Sequence, residues 1–171
     1  MDEYRLHPSL VTQWRAGVLE PWPEAAAASE TVWFPLPVGS DNVRYWEGLN
    51  GRTEIDGTVT VLGVPAYAYD LNLGDRVTVV RSAEGPFVAT GIAHDAGNNT
   101  FRYYLLDQDD GTAWHPLAQE FASMGCLIDV LTPTLTALSC VPETSQSVAD
   151  RLASLEEHGL LKYETGRTTT A

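Results

Sequence analysis

The sequence predicts an α+β fold, with a small β-barrel-like N-terminal half followed by a split β-α-β layer. Three observations predict it. Residues 31–106 carry short runs of alternating β-branched and polar residues, punctuated by Gly, Asn and Pro turns. From Asp107 onward the apolar spacing switches between the period of a strand and that of a helix. A chain of 171 residues, 44% hydrophobic and 19% charged, has enough material for one well-buried core or for two small subdomains that share one.

Residues 1–30 read as an appendage. "SLVTQWRAG" suggests a short helix, and "EPWPEAAAASE" reads as a linker from its two prolines and alanine run. Strand character begins at "TVWFPLPV" (residues 31–38) and opens a barrel-like β subdomain over residues 31–106. It continues in a Gly/Asn-rich loop around the short strand "VRYWE", then in "TEIDGTVTVLG" and "DRVTVV", which have the alternation of half-buried strands. "GPFVATGIAHD" and "TFRYYLLDQ" extend the pattern around the turn "AGNN". Many short strands with tight turns imply a small barrel or a strongly twisted sheet.

Between two of these strands lies "VPAYAYDLNLG". Tyr67 and Tyr69 stand two residues apart, so an extended chain turns both rings to one side. A packed face of the barrel is the expected result, and a pocket lined by both phenols is the alternative. Gly74-Asp75 fits a turn whose carboxylate accepts backbone N–H bonds.

Residues 107–166 predict an α/β subdomain, with 167–171 as a tail. "WHPLAQEFASMGC" has helical spacing at Leu117, Phe121 and Met124 and a stop at Gly125. "LIDVLTPTLTALSCV" supplies strand bent at Pro133. "PETSQSVADRLASLEEHGLL" predicts a second helix with Ser145 or Ser147 as N-cap, a stripe of Val148, Leu152 and Leu155, and Gly159 as its end. The short strand "KYETG" follows. This order is that of a split β-α-β layer.

Three segments carry a resemblance. "RYWEGL" (residues 44–49), "VPAYAYDLNLGDRV" (residues 64–77) and "GNNTFRYYL" (residues 97–105) resemble the bacterial family designated domain of unknown function 4265, over residues 43–165. Two positions depart from its pattern: Ala66 replaces a frequent aromatic and Asp70 a frequent glycine. The resemblance implies a small barrel followed by a ferredoxin-like half. It implies no activity, cofactor or catalytic residue.

Composition narrows the function classes. With 23 acidic against 10 basic residues, the net charge is −13. Such a field repels nucleic-acid phosphates and anionic lipid and accelerates encounter with a basic partner; it also simply keeps a protein soluble. Neither a membrane-length apolar run nor the order of a secretory signal is evident, so a cytoplasmic address is the expectation. Cys126 and Cys140 lie in apolar surroundings and read as buried free thiols.

Catalytic constellations are not legible. His94 and Asp95 are neighbours in a strand pattern and point to opposite faces, so turn chemistry explains them better than an acid–base dyad. His115 precedes Pro116 at a helix start and reads as a surface residue. The run Asp107, Asp109, Asp110 lacks the glycine and the glutamate of a calcium loop, with Ala118 at the twelfth position. No catalytic residue, metal ligand or cofactor is therefore expected.

The reading this supports is a non-catalytic binding protein, an immunity protein or antitoxin that neutralises a basic toxin. Its contact set is Asp41, Glu47, Glu54, Asp56, Asp107, Asp109 and Asp110 as carboxylates, with Tyr45 and Trp46 as aromatic anchors. A small-molecule sensor using Tyr67, Tyr69 and His94 is the alternative, and an enzyme in which His94, Asp95 and His115 converge is the third.

Overall fold

The structure, a computed structural model, describes residues 2–40, 42–106 and 111–168. In chain order the N-terminal strands are β1 (Asp2–Leu6), β2 (Thr12–Arg15) and β3 (Val18–Pro21), followed by a 3-10 turn (Pro23–Ala27). Next come β4 (Glu30–Pro35), β5 (Arg44–Thr53), β6 (Val59–Val61), β7 (Arg76–Arg81) and β8 (Phe87–His94). The rest comprises β9 (Asn99–Leu105), α1 (Trp114–Ser123), β10 (Leu127–Val130), β11 (Leu135–Cys140), α2 (Pro142–Glu157) and β12 (Leu161–Thr165).

The chain is mixed α+β, and β4 to β8 form a closed five-stranded barrel in the order β5-β4-β8-β7-β6, with β6 pairing back onto β5. Closure needs sharp curvature. Irregular register between β7 and β8 at Arg76/Val77 and Thr78/Val79 supplies part of it. Gly51 supplies more, since a Cβ there would stand 2.5 Å from the Val59 side chain as the strands fold together. Inside lie Val32, Phe34, Leu49, Val59, Val61 and Val77, the inward members of alternating strands, together with Leu71 from the connection between β6 and β7.

The second sheet runs β12-β9-β11-β10-β2-β3, antiparallel throughout. One face carries α1 and α2 over Phe101, Tyr103, Leu105, Ile128, Leu138 and Leu161. A third apolar cluster, with Val64, Ala66 and Leu73 of the 62–73 segment against Val11 and Ala137, joins the sheet's other face to the barrel half.

Several expectations change. Residues 1–30 are not an appendage: β1 pairs in parallel with β5, and the β2–β3 hairpin extends the second sheet through β10. "SLVTQWRAG" is strand and turn rather than helix, and Ala16 and Gly17, at φ +50° and +85°, make the hairpin turn. "VRYWE" is half of a ten-residue strand that spans three neighbours. Asn99–Leu105, expected in the barrel, pairs with β11 and β12 in the second sheet. The N-cap of α2 is Val141, because Pro142 starts the helix ahead of either serine. Its stripe Val148, Leu152, Leu155 is buried as expected, and Gly125 and Gly159 end their helices at positive φ. No helix among the described residues is long and apolar enough to cross a membrane.

Candidate functional site

The segment Val64–Asp70 belongs to neither sheet. It runs as irregular chain between the barrel and the second sheet, so its backbone groups cannot be satisfied by a ladder. Two buried side chains of opposite charge satisfy them instead. Glu47 of β5 accepts the N–H groups of Ala66 at 2.6 Å, Tyr67 at 3.2 Å and Ala68 at 2.7 Å. From the opposite side, the Arg102 guanidinium on β9 donates to the carbonyls of Ala66 at 2.9 Å and Ala68 at 2.7 Å.

His7 completes the junction. Its Nε2 lies 2.8 Å from Glu47 Oε1 and its Nδ1 lies 2.8 Å from Asp129 Oδ2, so one imidazole bridges the barrel strand β5 and the second-sheet strand β10. Burial alone would lower its pKa, but the hydrogen bonds and charges of Asp129 and Glu47 outweigh it and lift the imidazole from 6.5 to about 9. Both ring nitrogens then donate at neutral pH. Burial also acts to raise the Glu47 pKa, yet His7 and the N–H groups of Ala66 and Ala68 bring it below its ordinary value. Asp129 accepts a further N–H from Val64 at 3.2 Å. The three side chains are 3%, 0% and 1% exposed, so no substrate reaches them and the constellation acts as an internal clamp.

The tyrosines do not share a face. Without strand periodicity, Tyr67 lays its ring 4.5 Å from the Arg5 guanidinium, which also sits 4.4 Å from Tyr45, whereas Tyr69 stacks on Arg102 at 4.5 Å and hydrogen-bonds Glu164. Neither is barrel core. Asp70 adopts φ +56°, a left-handed conformation that glycine takes without strain, and its carboxylate accepts the N–H and hydroxyl of Thr168. Asp75 accepts N–H groups from Asn72 and Ala96, the role expected of it. His94 and His115 are exposed and lie apart from the clamp residues, and Asp95 accepts the Gly97 N–H in a turn. Cys126 and Cys140 are buried free thiols.

Of the expected contact residues, Glu47 is corrected outright, since a carboxylate committed to three backbone N–H groups and an imidazole is unavailable to a partner. Glu54 is engaged by Arg52 and Thr60, and Asp56 by Thr58 and Arg76. Asp41, Asp107, Asp109 and Asp110 lie outside the described residues.

Trp46 is placed differently. On the outer face of the barrel, β1, β5 and β4 bring Tyr4, Trp46 and Trp33 together: Tyr4 meets Trp33 edge-on at 5.1 Å and lies nearly parallel to Trp46 at 6.4 Å. Gly48 makes this possible, because a Cβ there would come within 2.7 Å of the Trp33 ring. The rings, with Ser82, Glu84, Pro86 and Val88, line an open cavity of about 360 Å³. Asp2 accepts a long hydrogen bond from Trp46 Nε1 at 3.4 Å. A second, apolar cleft of about 340 Å³ opens at one end of the barrel between Phe34, Leu71, Val77 and Ile92, beside Tyr69.

Sequence reasoning missed His7, Arg102, Asp129 and the pairing of Tyr4 with Trp33. A signal existed for Asp129, a lone charge in the apolar run "LIDVL", and for Arg102, which takes an inward place in "TFRYYL". His7 offered none.

No curated protein matches the chain. Among solved structures, a hypothetical protein from Neisseria gonorrhoeae superposes with a TM-score of 0.68 at 18% identity, over 81% of this chain and 94% of that one. This likeness shows a shared fold. The profile described as Domain of unknown function (DUF4265) matches residues 47–163, which contain Glu47, the 64–70 segment, Arg102 and Asp129. The chain belongs to that family.

Proposed function

We propose that this is a non-catalytic acidic binding protein, an immunity protein or antitoxin of bacterial type that neutralises a basic protein partner in the cytoplasm. The observation that carries the reading is the solvent-open cluster of Tyr4, Trp33 and Trp46 bordered by Glu84 and Asp2, on a chain of net charge −13. Large aromatics left outside a small domain are the residue types that anchor protein interfaces, and the surrounding negative field steers cations toward them. The carboxylate set moves accordingly, from Glu47 to Asp2 and Glu84.

Capture on immobilised full-length chain from host extract tests this. A basic protein that elutes as salt rises and whose toxicity the chain suppresses supports the reading. Capture of no basic protein at low salt overturns it.

A second reading is favoured by one observation, the apolar cleft at the barrel end, whose lining of Phe34, Leu71, Val77 and Ile92 suits a small apolar ligand. A small molecule that co-purifies and is lost from a Val77→Asp variant is its expected sign. The second half is further proposed to be ferredoxin-like. The succession β9-α1-β10-β11-α2-β12 with sheet order β12-β9-β11-β10 supports this, being the order of a split β-α-β unit.

A further inference from the structure

We infer that the Tyr4/Trp33/Trp46 cavity is a receptor for an arginine side chain presented by an extended segment of the partner; this rests on the acidic-binding reading above and names its chemistry. The rings form walls in two orientations: Trp33 stands 82° from Tyr4, while Trp46 is within 13° of parallel to Tyr4. A cation entering between perpendicular faces meets the negative side of more than one π-system. Guanidinium is the cation that suits such walls best, because it is planar, weakly hydrated and stacks on aromatic faces.

The rim agrees in charge. Glu84 lines the cavity from the 82–86 turn between β7 and β8, and Asp2 lies beside Trp46. Neither Arg44, opposite Asp2 in the β1–β5 register, nor Arg81, which donates to the Gly85 carbonyl in the 82–86 turn, is among the cavity's lining residues. Pro86 and Val88 complete an apolar floor on which the arginine methylenes pack. The geometry also explains why β5 has glycine at 48, in the middle of a ten-residue strand: any side chain there would push Trp33 off its seat.

Other features of the molecule lead less far. The cleft beside Tyr67 has its Arg102 guanidinium already committed to backbone carbonyls, and the buried His7 cluster is closed to ligands.

The test uses the intact chain and three acetylated, amidated pentapeptides of sequence Pro-Pro-X-Pro-Pro, in which X is arginine, lysine or the neutral isostere citrulline. Binding is read from the indole N–H resonances of Trp33 and Trp46. Saturable shifts of both are expected with arginine, at least about fivefold weaker with lysine and tenfold or more weaker with citrulline. Glu84→Gln should weaken the arginine peptide severalfold without altering the rest of the spectrum, and Gly48→Ala should weaken it while leaving every charge in place. Indoles that stay still, or that respond equally to citrulline, overturn the assignment. Its failure is distinguishable from that of the parent reading. A basic partner captured equally by wild type and Gly48→Ala removes the arginine receptor and leaves the binding function. Peptide binding without any basic partner in extract does the reverse.

Discussion

The clamp at the junction and the groove on the barrel invert the usual placement of residue types. At the junction, Glu47, Asp129, His7 and Arg102 are charged and lie within a few per cent of complete burial, while on the barrel wall Tyr4, Leu6 and the tryptophans leave apolar surface in water. Each inversion has a physical reason. An irregular segment between two sheets must have its N–H and C=O groups satisfied, and a carboxylate and a guanidinium are strong multidentate acceptors and donors for that purpose. The outer cluster satisfies no internal need that a smaller apolar set would not meet. Burial of charge thus tracks architecture in this protein, and exposure of aromatics marks the surface on which the proposed recognition rests.

The largest expected effect is at Glu47. Glu47→Ala strands three backbone N–H groups and the His7 imidazole in the interior, and a loss of about 3–5 kcal/mol is expected in urea unfolding. Glu47→Leu is not expected to rescue it, since the stranded amides remain; recovery with leucine would break the view of the clamp as backbone satisfaction. Arg102→Met should follow at about 2–4 kcal/mol, because two carbonyls lose their donors and the Tyr69 ring its cation.

Next comes pH. The folded pKa of His7, about 9, stands above its unfolded value of 6.5, so its contribution is complete below 6.5 and is lost as pH rises through 9. Glu47 shifts the other way, so its contribution is present above 4.5 and is lost as pH falls through its depressed folded pKa. Stability should therefore be greatest between about pH 4.5 and 6.5 and decline by up to about 3 kcal/mol toward pH 10. Thermal melts across this range check the slope. In His7→Gln the alkaline decline should be largely gone; an unchanged decline would assign it to another group.

Trp33→Ala should cost only about 1–2 kcal/mol, since the ring is only partly buried, while abolishing indole-detected peptide binding; this sharpens the contrast between architecture and the proposed recognition. Smallest of all is Asp70→Gly. Relief of an aspartate at φ +56° opposes loss of the Thr168 contacts, and no resolvable shift of the urea unfolding midpoint is expected. A clear downward shift would show that the Thr168 tether matters to the fold.

The two helices, the bend at Pro133, the Asp75 turn and the barrel character were legible because each rests on neighbours a few residues apart. The assignment of Asn99–Leu105 was not, since alternation says that a strand is half buried and not which sheet receives it. Residues 1–30 failed for a related reason: short, polar-flanked strands such as Thr12–Arg15 acquire their structure from the edges they join. At the site, "AYAY" was legible as unusual, but its rings were read on a strand period that the segment does not have.

The sequence by itself thus determined the α+β class and the acidic field, which follow from local periodicity and composition, and the family, through the resemblance carried by residues 44–49, 64–77 and 97–105. Tertiary structure decided that Glu47 is internal, that His7 meets Asp129 across 122 residues, and that three aromatics from three strands share one cavity. Closure of the barrel and docking of the second sheet create those neighbours, and no local pattern encodes a distance that exists only after both have formed.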